Sequence, residues 1–130
     1  MQKLLWMALA GALGTLARYL LSGLVQRLNG TSFPWGTLAV NGLGCLLFGL
    51  VWSLAEEGLA ISGETRMIVL AGFMGAFTTF STLIFETGGM LRDTQWGLAV
   101  VNMGGQVAVG LLALFIGLAG GRLLMTGRGF

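Results

Sequence analysis

Between Arg66 and Arg92 the chain runs for 25 residues with a single charge, Glu86, and with four hydroxyls, Thr78, Thr79, Ser81 and Thr82, gathered into five positions. At about 1.5 Å of rise per residue, a helix of that length more than crosses a hydrocarbon core of about 30 Å. The spare length leaves room for tilt or a local break. An ionisable group inside such a span costs about 2.5–3.5 kcal/mol on insertion scales, so it normally faces a bundle interior or a water-filled path. Glu86 and its hydroxyl neighbours are therefore the expected functional centre.

The rest of the chain is of one kind with this segment. Of 130 residues 55% are hydrophobic and 9% are charged, which leaves too little polar surface to wrap a water-soluble core and defines an integral membrane protein. A formal net charge of +2 without any basic run gives no footprint for nucleic acid. Cys45 lies in an apolar run with no partner for an internal disulfide, and without histidine it cannot complete a transition-metal site. The start, MQKLLWMALAG, imitates a signal peptide, yet its apolar run continues to Val25 and is read as a retained helix.

Runs long enough to span cover residues 4–26, 35–55, 67–91 and 95–121, which predicts one four-helix transmembrane domain over residues 1–130. Pro34 closes the first loop and stops the chain before the second helix. Trp35, Trp52 and Trp96, and less clearly Trp6, fall near span ends, where amphipathic rings prefer the interface. With four spans both termini share a side with the middle loop, so Lys3, Arg66, Arg122 and Arg128 oppose Arg27 and Arg92. That bias orients the chain only weakly. A protein inserted both ways round could pair antiparallel with its own inverted copy, giving the inverted symmetry common in transporters. Four helices alone also enclose little space, which favours an oligomer.

The glycines fall inside the spans, where small residues let helix backbones approach closely in lipid. Gly72 and Gly75 stand apart because the hydroxyl cluster follows them, and they mark the third helix as the one expected to unwind. On a continuous helix Thr78, Thr82 and Glu86, at i, i+4 and i+8, line one face with Thr79 beside them. A single hydroxyl in lipid commonly does no more than bond its own i−4 carbonyl, and Glu86 could simply clasp another helix. The density of the cluster favours a pathway. Arg18 either snorkels from the first helix or supplies positive potential at an anion entrance, and Asn41 is either an interhelical clasp or an amide donor to an ion. Asn102 and Gln106, one turn apart on the fourth span, are read as an interhelical hydrogen bond. Hydroxyls, an amide and aromatic rings suit a small anion better than an alkali cation, because they can donate or present a positive edge. A cation path would more often show carboxylate rings or an open carbonyl filter.

These residues resemble the small fluoride channels called Fluc or CrcB. The resemblance rests on Gly11, Gly14, Arg18 and Tyr19 in the first helix, on Gly36-Thr37-Leu38-Ala39-Val40-Asn41 in the second, and on Gly72, Gly75, Thr78-Thr79-Phe80-Ser81-Thr82 and Glu86 in the third. It implies an all-α fold of four transmembrane helices per subunit, the third broken near its middle, in an antiparallel dual-topology homodimer. It further implies two fluoride pathways lined by Asn41, Phe80, Ser81, Thr82 and Glu86, with Arg18 at the vestibule. A central sodium ion would be held by the backbone carbonyls of Gly75 and Thr78 where the third helices meet. The partners implied are fluoride, the lipid bilayer and a second copy, and the location is a bacterial inner membrane, crossed several times. The function the resemblance implies is passive fluoride export down its gradient, which lowers cellular toxicity and needs no enzyme chemistry. Two positions depart from the family pattern: Leu83 stands where a second pore phenylalanine is usual, and Ala108 where a serine is expected on the fourth helix.

The nearest rival is a small proton-coupled multidrug-type exporter, which would carry its key carboxylate in the first helix, where this chain has Arg18. A noncatalytic assembly subunit packed by its glycines is the third reading.

Overall fold

The computed structural model describes residues 1–58 and 61–126, and every described element is helical. Arg128, counted above on the side of the termini, lies outside the described residues. Helix α1 (Gln2–Asn29) stops at Gly30, whose left-handed backbone (φ 60°) returns its N–H to the Gln26 carbonyl. Helix α2 (Trp35–Glu56) begins directly after Pro34. The third span, Gly63–Arg92, is two helices in series. The first, α3 (residues 63–77), is capped by the Ser62 hydroxyl, which accepts from the Thr65 N–H, and widens into a π-helical stretch over Ile68–Met74. The second, α4 (Phe80–Arg92), is capped by Thr79. Helix α5 (Trp96–Thr126) completes the fold, so four spans are long and apolar enough to cross a membrane.

Glycine sets how closely these helices pack. Gly49 of α2 faces the Leu114 carbonyl of α5, and Gly117 of α5 faces the Leu46 carbonyl of α2, so either side of that seam would drive an added Cβ into backbone. Gly14 of α1 lies against the Phe73 carbonyl of α3 in the same way. Lipid drives no hydrophobic collapse between helices, so such close approach supplies the van der Waals packing that holds them. The enclosed core is accordingly small, with Val40, Phe77 and Ala99 among its most buried members, while long apolar side chains cover the outer faces of α1 and α5.

The third span breaks where Thr78 (φ −87°, ψ 159°) and Thr79 (φ −149°, ψ 112°) are both extended. The break falls in the threonine-rich segment expected to unwind, while Gly75 itself keeps helical angles (φ −62°, ψ −32°) and Gly72 sits within the π-helical stretch against Met7 and Ala10 of α1. One expectation is corrected: the helical repeat does not carry Thr78 onto the Thr82 and Glu86 face, because two extended residues intervene. Thr78 ends α3 and returns both its N–H and its hydroxyl to the Met74 carbonyl, each at 3.0 Å.

At the rims, the Arg66 guanidinium lies 4.3 Å over the Trp52 ring, an interfacial anchor joining α2 to α3. Arg122 and Glu57 meet at 3.9 Å on an exposed surface, a pairing of little energetic weight.

Candidate functional site

The break is held open by one side chain. Asn41 of α2 accepts the Thr79 N–H at its Oδ1 (2.8 Å) and donates from Nδ2 to the Thr79 carbonyl (3.1 Å), engaging both backbone groups of that residue as a neighbouring strand would. The second hydrogen of the same amide goes to Gln106 Oε1 of α5 at 2.8 Å. Both donors of Asn41 are thus engaged within the subunit, the clasp that its place in the second span allowed. Gln106 Nε2 in turn donates to Asn102 Oδ1 (2.9 Å), and Asn102 Nδ2 to Thr87 Oγ1 (2.9 Å), so the two α5 amides bond each other and make the interhelical hydrogen bonds expected of them.

On the other side of Thr79 its hydroxyl accepts the Thr82 N–H at 3.2 Å and donates to the Thr82 hydroxyl at 2.8 Å, so the residue that ends the break also starts α4. One turn further, Glu86 Oε1 accepts a short hydrogen bond of 2.6 Å from the Thr37 hydroxyl of α2. Its other oxygen, Oε2, is buried and has no partner. A buried carboxyl oxygen left without a partner is costly, and Glu86 borders an open space.

That space is a recess of about 570 Å³ lined by Gln26, Thr37, Thr82, Glu86 and Asp93 among others. Gln26 shapes its rim, donating to the carbonyls of Thr31 and Phe33 and accepting from the Gly36 N–H. A second cavity, of about 300 Å³, lies beyond the Asn41 clasp and is mostly apolar, with Cys45, Leu70, Phe80 and Leu83 in its wall. Thr37 and Asn41, one turn apart on α2, stand at the recess and the cavity respectively.

The residues singled out in the sequence therefore divide. Thr82 and Glu86 share the polar recess, whereas Asn41, Gly75, Thr78 and Phe80 border the second cavity. Phe80 is 72% exposed and Ser81 is exposed beside it, its hydroxyl 3.4 Å from that of Thr79. Arg18 lines neither space but sits one turn before Ser22, a residue of the recess wall. Leu83 is buried within the subunit, on the wall of the same cavity as the largely exposed Phe80. The sequence reading passed over Thr37, although its i, i+4 relation to Asn41 puts a hydroxyl one turn along the same face. The interhelical hydrogen bonding expected of Asn102 and Gln106 is present, to Thr87 and Asn41 respectively, although nothing local in the chain names Asn41 as the partner.

A span broken by an extended dipeptide, with a carboxylate and hydroxyls gathered on one flank, defines a small multi-pass membrane protein organised around the interior of its third span. The chain belongs to the CrcB-like family, since the model described as "CrcB-like protein, Camphor Resistance (CrcB)" matches residues 5–118. Among similar proteins is one from Nitrosococcus oceani, 65% identical over 116 residues, covering 89% of this chain and 93% of the relative. One from Solidesulfovibrio magneticus is 56% identical over 124 residues, covering 95% and 99%. One from Maridesulfovibrio salexigens is 50% identical over 126 residues, covering 97% and 100%. Each of the three is named a fluoride-specific ion channel, FluC.

Proposed function

We infer that this chain, like those relatives, is a fluoride-specific ion channel through which fluoride leaves the cytoplasm passively, down its electrochemical gradient. The observation that carries the reading is the broken third span, with the Thr37–Glu86 recess on one side of the clasped Thr79 and the Phe80 cavity on the other. Such a track offers a small anion hydroxyl donors and an aromatic edge in sequence, and no covalent step is required. Thr82 and Ser81 supply hydroxyls and Phe80 a ring edge. Glu86 sets the potential of the recess, Arg18 offsets it at the entrance, and Asn41 takes part as the post that fixes the break.

The working unit in this reading is an antiparallel homodimer. A single subunit leaves Phe80 and Ser81 on an outward face in the middle of a span, where lipid satisfies neither a hydroxyl nor a polarised ring edge. A second, inverted copy would close that face and complete two pathways. A sodium ion at the dimer axis fits the donors available there. The Gly75 carbonyl would ordinarily accept the Thr79 N–H of the next turn, but that N–H is taken by Asn41, so the carbonyl is free at an exposed glycine. Together with the Thr78 carbonyl, and their equivalents in a second copy, it forms an all-oxygen set of the kind a hard cation prefers. A sodium ion there would neutralise the clustered carbonyl dipoles.

Fluoride efflux from liposomes containing the purified protein, followed with a fluoride electrode, tests the function. Rapid efflux of fluoride but not chloride, slowed by Phe80→Ile and indifferent to collapse of a proton gradient, is the expected result. Efflux that stops when the proton gradient is collapsed would instead indicate a coupled exporter. No efflux from a folded dimer would end the channel reading.

A further inference from the structure

We propose that Gln106 and Asn102 of α5 are positioning residues for ion passage: through a directional hydrogen-bond relay they fix the amide of Asn41, and with it the break in the third span, without touching an ion. The proposal rests on the reading of the break as the ion pathway.

The relay has one direction only. The Thr87 hydroxyl spends its single hydrogen on the Leu83 carbonyl at 2.8 Å, so toward Asn102 it can only accept. Asn102 must therefore present Nδ2 to Thr87 and Oδ1 to Gln106. Gln106 must then present Nε2 to Asn102 and Oε1 to Asn41, and Asn41 must offer Nδ2 to Gln106. Only that orientation of Asn41 leaves its Oδ1 for the Thr79 N–H. An amide turned the other way would set donor against donor at the break. The orientation of the clasp is thus dictated by a threonine two turns down α4, through two amides that are 0% and 5% exposed.

Burial raises the stakes. Each member of the relay is satisfied only by the next, and water cannot substitute at Asn102 or Gln106. The relay also ties α4 back to the bundle at two levels, Thr79 and Thr87, so the spacing between α2 and α4 alongside the Thr37–Glu86 recess is held at both.

The test uses the full-length protein in liposomes, with Gln106→Met, Asn102→Leu, Thr87→Val, Thr87→Ser and the double variant Thr87→Val/Asn102→Leu. Gln106→Met is expected to slow fluoride efflux about tenfold or more, within the roughly hundredfold that misplacement by an ångström can cost at a reacting site. Thr87→Ser keeps the hydroxyl and is expected to keep the wild-type rate. Thr87→Val orphans Asn102, but once Asn102 is leucine there is nothing left to orphan. The double variant should therefore be no slower than Asn102→Leu alone, whereas side chains acting only through independent packing would give additive losses. Additive losses, or wild-type rates in all the single variants, would overturn the proposal.

Hydrogen exchange at the Thr79 amide supplies a second readout that does not depend on transport. It should be slow in the wild type and markedly faster in Gln106→Met and Thr87→Val, the latter a near-isosteric change suited to the case in which Gln106→Met does not fold. If the wild type passes no fluoride, the channel reading fails, and exchange at Thr79 still decides whether the relay fixes the break. Unchanged exchange in the variants would overturn the relay whatever the flux.

Discussion

At the scale of single residues, the Thr37–Glu86 contact is the sharpest prediction. Removing the hydroxyl with Thr37→Val leaves both oxygens of a recessed carboxyl group without a donor, where one is already bare. We expect a loss of about 1–3 kcal/mol, the usual cost of leaving a buried acceptor unpaired, read as a lower midpoint in SDS-induced unfolding. Fluoride efflux should fall with it. Thr37→Ser, which retains the donor, should restore both, and a Thr37→Val protein as stable and as active as the wild type would remove Thr37 from the site. Residue scale is also where sequence legibility was least even. Glu86 and the hydroxyl cluster announced themselves, because polar atoms in an apolar run have few uses. Thr37 did not, since one threonine near a helix start is unremarkable until the opposing carboxylate is placed against it.

At the scale of elements, the seam between α2 and α5 and the turn between α4 and α5 give opposite expectations. Gly117→Ala must push the Leu46 backbone aside, and a loss of about 1–3 kcal/mol is expected from such overpacking. Gly97→Ala, at the open start of α5, meets nothing within 4 Å and serves as the control with no loss of stability. Between α4 and α5, Thr94 holds a left-handed backbone (φ 58°), which a β-branched side chain rarely adopts. Thr94→Gly relieves that strain at an entropic cost, for a net gain of up to about 1 kcal/mol, measured in the same unfolding titration.

The spans themselves were plain in the sequence, because length, hydropathy and Pro34 are local signals. The segment that breaks was legible as well, in the threonines that follow Gly72 and Gly75, but the cause was not: what keeps the chain open at Thr78 and Thr79 is an asparagine 38 residues away that pairs with both the N–H and the carbonyl of Thr79. Local propensity says where a helix can yield, and a distant partner decides where it does.

At the scale of the molecule, the proposed dimer and its proposed cation make two further predictions. Replacing sodium with N-methylglucamine, which is too large for a carbonyl cage, should lower the thermal midpoint of the purified protein if Gly75 and Thr78 hold sodium at the axis. An unchanged midpoint would count against that site. The even spread of positive charge predicts a protein that inserts in both orientations. Leu28→Lys with Asn29→Lys, both exposed at the end of α1, adds positive charge to the side opposite the termini and should bias insertion one way. Fluoride efflux should then be lost when this variant is made alone, and should return when it is made together with a copy biased the opposite way. Full activity from the one-way variant alone would exclude the antiparallel arrangement.

The α2–α5 seam has a consequence for how such a chain can change over generations. Every base change in the first two positions of a glycine codon introduces a side chain or a stop, and no smaller residue exists to retreat to. At Gly49 and Gly117 any such side chain strikes backbone atoms, which yield at greater cost than a neighbouring rotamer would. Every coding change there carries a stability penalty, whereas the exposed faces of α1 and α5 have a wide choice of apolar replacements.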